Sequence, residues 1–96
     1  MIQVIIQPGS IQVIGHAKYA EPGKDIVCAG ISTLVQNLVQ SIEELTEDEI
    51  SYIISPGTVD IQYGNLSDKA RFLVDSFFIG VSMIADTYPD NVKVIV

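Results

Sequence analysis

The chain has 96 residues, with five Lys and Arg against twelve Asp and Glu for a formal charge of −7, and an apolar share of 48%. That length supports one domain (1–96) with a single core. The acidic balance argues against direct nucleic-acid binding, where cations must neutralise phosphate, and the mean hydropathy of +0.38 points to apolar surface shared with a second copy.

Met1 to Gln7 is short and β-branched, Pro8-Gly9 is a turn pair, and Ile11 to His16 completes a predicted hairpin. Residues 17–24 form a loop that is long for so small a domain and is expected to be mobile. Lys18, Glu21 and Lys24 are solvated charges in it, and Gly23 supplies the positive φ of a sharp entry to the next element. Tyr19 either packs on the fold or touches a bound partner. Asp25 is a good N-cap, and apolar residues at 27, 31, 34, 35, 38, 39, 42 and 45 predict a helix from about Ile26 to Leu45. At about 100° per residue, Ile31, Leu34, Leu38 and Ile42 mark its core side, with Cys28, Ser32, Val35 and Val39 along the edge.

The helix ends in Glu43-Glu44, followed by Glu47-Asp48-Glu49, the wrong sign for a C-terminus and a place where a cationic partner could rest. Ile50 to Ser55 and Thr58 to Tyr63, joined by Pro56-Gly57, predict a second hairpin. Ser67 caps a second helix that Pro89 ends. Ala70, Leu73, Val74, Phe77, Val81, Ile84 and Ala85 form its broad apolar face, while Phe72, Ile79 and Met83 form a second stripe on nearly the opposite side. One sheet covers only one of these faces, so the second stripe is expected at a homodimer interface. Val92 to Val96 is a last strand or an extended tail. The order ββαββα(β) predicts an α+β two-layer sandwich, a mixed or antiparallel sheet with both helices on one face.

His16 and Cys28 are the only histidine and the only cysteine. A thiol is a nucleophile only as thiolate, and an ordinary one, with a pKa of about 8.5, needs a cation or a helix N-terminus to ionise at neutral pH. A strand that folds back into a helix brings its end beside the helix start, so His16 can meet Cys28. Cys28 would be the third helical residue, where backbone N–H groups lack partners. A lone cysteine is also commonly a buried small hydrophobe, and spacing alone leaves both readings open.

The stretch GHAKYAEPGKDIVCAGIS resembles the signature of the bacterial ribosomal-processing cysteine proteases: Gly15-His16-Ala17, a short loop, Gly23, Asp25-Ile26-Val27-Cys28-Ala29 and Ser32. The ending, Tyr88-Pro89-Asp90 before Val92-Lys93-Val94, is similar too, whereas Lys18 and Pro22 stand where the family more often has a small residue and an aromatic. The resemblance implies that Cys28 is the nucleophile and His16 its base, with no cofactor. It implies a substrate that is a large-subunit ribosomal protein precursor with a short aromatic-rich N-terminal extension, or a phage structural protein bearing a related one, and a homodimeric enzyme.

On that reading the first-turn N–H groups stabilise the oxyanion. Asp25 either caps the helix or orients the His16 ring, and Ser32 lines the site or bonds a backbone carbonyl. Rival readings are a non-enzymatic dimeric module that holds a basic protein on its acidic face, and a redox-sensing thiol needing an external partner thiol. His16, Cys28 and Asp25 lack the paired spacing of a zinc motif, so no metal is expected. No apolar run reaches the ~18 residues of a membrane span and no leader is evident. A single cysteine suits a reducing cytoplasm.

Overall fold

Seven elements follow one another in the computed structural model, which describes residues 1–96: β1 (Ile2–Gln7), β2 (Ser10–Ile14), α1 (Ile26–Leu45), β3 (Ile50–Ser55), β4 (Thr58–Tyr63), α2 (Asp68–Thr87) and β5 (Val92–Ile95). Each Pro-Gly pair closes a hairpin, β1 with β2 and β3 with β4. The hairpins join through antiparallel pairing of β2 with β4, in which Ile11 faces Ile61. The final segment is a strand and not a tail. It pairs parallel to β1, Ile2 opposite Val92, and gives a mixed sheet of order β3-β4-β2-β1-β5. A parallel partner needs a crossover, and α2 supplies it.

The register places Ile2, Val4, Ile11, Val13, Ile61 and Val92 on one face, where they form a single core with Val27, Ile31, Val35, Leu38, Val39 and Ile42 of α1 and Phe77 and Val81 of α2. Each side chain of this size buried there is worth about 1.5–3 kcal/mol. Val35 and Val39, expected at the edge of the helix, are buried, whereas Leu34 is half-buried with its methyls against Gly80 of α2. The core side of α1 is therefore turned slightly from the one its periodicity suggested, because α1 packs on both the sheet and α2. Phe72, Ile79 and Met83 stand out from α2 at 73%, 61% and 65% exposure.

Chain direction divides the molecule into two ends. One carries the end of β2, the β3–β4 turn, the starts of β1, β5 and α1 and the end of α2; the other carries the β1–β2 turn, the end of α1 and the start of α2.

Candidate active site

His16 stands two residues beyond the end of the strand expected to contain it. β2 stops at Ile14 because Gly15 turns with φ 98°, and a Cβ there would collide with the Met1 carbonyl oxygen. The Gly15 N–H donates to the Gly57 carbonyl at 2.9 Å, fixing the strand end to the β3–β4 turn. His16 is thus delivered to the surface beside that turn. Gly57 itself has φ 74°, and a Cβ built on it would lie 2.9 Å from His16 Nε2 and 3.3 Å from Cε1. The outer edge of the imidazole rests on a Cα that has no room for a side chain.

Cys28 sits half-buried in the first turn of α1. Its Sγ accepts a hydrogen bond at 3.3 Å from the N–H of Ala17, the residue next to His16. Ala17 is buried, and its carbonyl accepts from Asn91 Nδ2 at 3.0 Å. The sulfur of the helix and the backbone of the histidine segment therefore touch across eleven residues of chain.

Asp25 is the N-cap. Its Oδ1 accepts from the Val27 and Cys28 N–H groups, each at 3.0 Å, and its Oδ2 from those of Tyr19 at 2.9 Å and Ala20 at 3.3 Å. These donors, that of Cys28 foremost, hold its carboxyl below the usual carboxylate range. The carboxylate is directed at backbone N–H groups and not at the His16 ring. The same bonds change the expectation for the oxyanion. The N–H groups of Val27 and Cys28 are taken by the Asp25 side chain, and that of Ala29 donates to the Asp25 carbonyl at 3.1 Å. The first turn offers no free donor at these three positions, because the residue that starts the helix also fills its N-terminus.

Two cavities meet at the pair. One, of about 590 Å³, lies under the loop and is lined by Lys18, Ala20, Pro22, Gly23, Ala29 and Ile26 among others. The second, of about 280 Å³, lies against the β3–β4 turn over Val13, Ile31, Ile54, Pro56 and Val59. His16, Cys28 and Ser32 line both. It is Thr33, and not Ser32, whose hydroxyl bonds a backbone carbonyl, that of Ala29 at 2.8 Å. Tyr19 packs edge-on against Tyr88 with ring centroids 5.2 Å apart, and Gly23 has φ 85°. No group of three or more histidine, cysteine or carboxylate side chains is placed to share a metal ion.

Gly57 and Asn91 were not anticipated as site residues. The Pro56-Gly57 pair signals a turn, but only the sheet register places that turn beside His16. Asn91 lies 74 residues from the carbonyl it bonds, so no local motif could reveal it.

A model of the cysteine protease Prp family matches residues 1–93. The ribosomal processing cysteine protease Prp of Bacillus subtilis is 28% identical, with 88% of this chain and 82% of that protein aligned. A crystal structure of a Streptococcus mutans protein, 31% identical, superposes with a TM-score of 0.82 over 99% of this chain and 92% of that one. The Staphylococcus aureus protease Prp, in complex with a covalently linked product peptide, shares the fold at a TM-score of 0.89 and 23% identity, covering 98% and 95% of the two chains. The chain belongs to the Prp family of cysteine proteases.

Proposed function

We propose that this chain is an endopeptidase of ribosome maturation that removes a short N-terminal extension from a large-subunit ribosomal protein, with Cys28 as nucleophile and His16 as general base. The observation that carries the reading is the meeting of Cys28 and His16 at the junction of two cavities, with a backbone N–H already directed at the sulfur. Relatives named for ribosomal processing supply the substrate class.

His16 takes the Cys28 proton, and the thiolate attacks the scissile carbonyl carbon, forming an S–C bond and a tetrahedral oxyanion. As sulfur gives up its charge to that bond, the Ala17 N–H is released from it and becomes available to the oxyanion. Collapse breaks the C–N bond, and protonated His16 gives its proton to the leaving amine. A water deprotonated by His16 then attacks the thioester, freeing the acid and restoring the thiol. Asp25 caps α1 and holds Tyr19 and Ala20 of the 17–24 loop beside the two reacting side chains.

A second copy covers Phe72, Ile79 and Met83, so Phe72→Lys with Met83→Lys yields a monomer in mass measurements under native conditions; an unchanged oligomeric mass would remove this part of the reading.

The test is mass spectrometry of a peptide carrying an aromatic-rich extension ahead of a basic segment, incubated with wild type, Cys28→Ala and His16→Ala. The reading expects one cut by wild type and none by either variant. An intact peptide bound equally by all three proteins would instead make the chain a binding module and Cys28 a packing residue. A phage-type extension cut in preference to the ribosomal one would reassign the substrate.

A further inference from the structure

The loop after His16 is held in a conformation that it would not keep alone. Lys18 has φ 55°, the one non-glycine residue of the chain with positive φ. Left-handed backbone of this kind is disfavoured for a residue with a Cβ and persists where surrounding contacts over-determine it. The peptide unit that leads into Lys18 begins at the Ala17 carbonyl, and that carbonyl accepts the Asn91 amide. The preceding unit ends in the Ala17 N–H, which donates to Cys28 Sγ. Rotation of one unit about Ala17 disturbs the other, so whatever fixes the carbonyl also fixes the donor on sulfur.

We propose that Asn91 is a positioning residue of the active site: its side chain, donating to the Ala17 carbonyl, holds the Ala17 N–H on the Cys28 sulfur and His16 beside it. The proposal rests on Cys28 being the nucleophile. It is a role separate from that of Asn91 in the fold. The Asn91 carbonyl accepts from the Ile2 N–H at 2.9 Å and its N–H donates to the Tyr88 carbonyl at 3.0 Å, closing the corner between α2 and β1 through backbone alone. Those bonds need no particular side chain, which leaves the amide free for the loop. A carboxamide suits the position because only its NH₂ can donate to a carbonyl. An N–H directed at sulfur favours the thiolate over the thiol, and in the proposed reaction the same N–H passes to the oxyanion.

The test compares Asn91→Ala, Asn91→Asp and Asn91→Gln with wild type and with Tyr88→Leu. Tyr88→Leu loosens the same loop by removing the ring packed on Tyr19, without touching the Ala17 carbonyl. Two readings are taken on each: steady-state cleavage of the extension peptide, and the pH profile of Cys28 alkylation by iodoacetamide, which requires no protease activity. Asn91→Ala is expected to lower kcat about tenfold with KM nearly unchanged, the split of an interaction that acts on the transition state. Its alkylation profile moves to higher pH. Asn91→Asp, which sets an acceptor against a carbonyl, falls further, and Asn91→Gln, which keeps an amide donor, recovers part of the loss.

Tyr88→Leu keeps the wild-type alkylation profile. Wild-type kcat and alkylation in both Asn91→Ala and Asn91→Asp would overturn the proposal. So would losses in Asn91→Ala and Tyr88→Leu that match each other in both readings, since these would mean only a loosened corner. Should Asn91→Ala not fold, the near-isosteric Asn91→Asp decides. Should wild type fail to cleave while the alkylation profiles still separate, the protease reading falls and the hold of Asn91 on the sulfur stands.

Discussion

At each end of the sheet a Pro-Gly turn closes a hairpin, a helix terminus lies nearby, and an aspartate gathers donors to tie a loop to a helix start. At the far end the turn is Pro8-Gly9, and Asp48 accepts from the Ser67 N–H at 2.7 Å and from its hydroxyl, while Ser67 caps α2 through the Ala70 N–H at 3.2 Å. At the other end the turn is Pro56-Gly57, and Asp25 caps α1 and gathers Tyr19 and Ala20. The far end even has the larger cavity, about 790 Å³ among Glu43, Glu47, Asp48 and Glu49. The difference is what rests on the turn. Gly9 has the Tyr63 carbonyl against it, and Gly57 has the His16 ring. Common structural devices frame a candidate active site only where they leave a thiol and an imidazole between them; cavity size does not identify the chemistry.

The glycines give the largest contrast. Gly57→Ala drives a Cβ into His16 Nε2, and misplacing a reacting group by even an ångström can cost on the order of 10²-fold, the expected fall in kcat. Gly9→Ala has similar backbone strain, at φ 80° against 74°, and costs about 1–2 kcal/mol in denaturant unfolding while kcat holds. Equal activity losses in the two variants would erase the distinction between the ends. Gly57→Asn sharpens it, since Asn tolerates positive φ but keeps the offending Cβ.

The aspartates come next. Asp25→Ala frees the loop and the first turn of α1 together and should lower kcat/KM about tenfold through lost positioning. Asp48→Ala lowers Tm and leaves kcat/KM within about twofold, because its bonds end at a distant helix cap. Equal effects of the two on peptide cleavage would contradict the comparison.

Acid acts on both ends in one direction. Asp25 and Asp48 are held below the usual carboxylate range, Asp25 mainly by the Cys28 N–H and Asp48 mainly by the Ser67 hydroxyl. The unfolded chain therefore takes up these protons first. The stability they contribute is fully present above the unfolded value of about 4 and is lost as pH falls through the lower folded values. Tm measured against pH should drop less steeply below about pH 4 in Asp48→Asn than in wild type.

The smallest effect belongs to the acidic surface. The 20 residues of α1 span about 30 Å, well beyond a Debye length of about 8 Å. Glu47→Gln with Glu49→Gln should therefore change kcat/KM for a short peptide by less than about twofold. A larger rise in KM would make that surface part of substrate binding.

Much of this was legible in the sequence because local signals agreed. Asp25 before an apolar-periodic run and Ser67 before another set both helix starts, and two Pro-Gly pairs between β-branched runs set both hairpins. The meeting of His16 and Cys28 followed from a strand end facing a helix start. What stayed hidden was set by partners distant in sequence. The tilt that buries Val35 and Val39 depends on α2, and the parallel pairing of β5 depends on a crossover. Asn91 on Ala17 and Gly57 under His16 depend on the sheet register. Asp25 was legible as a cap, and a cap takes the very N–H groups expected for an oxyanion; that its second oxygen would hold Tyr19 and Ala20 depends on how the loop folds back.

The central claim is covalent catalysis at Cys28, and its most direct test is an acid quench during turnover of the extension peptide, followed by digestion and mass spectrometry. In wild type the fragment holding Cys28 should carry a thioester-sized increment equal to the acyl half of the cut peptide, and in Cys28→Ala it should carry nothing. Cleavage that persists in Cys28→Ala, or an adduct on any other fragment, would contradict it.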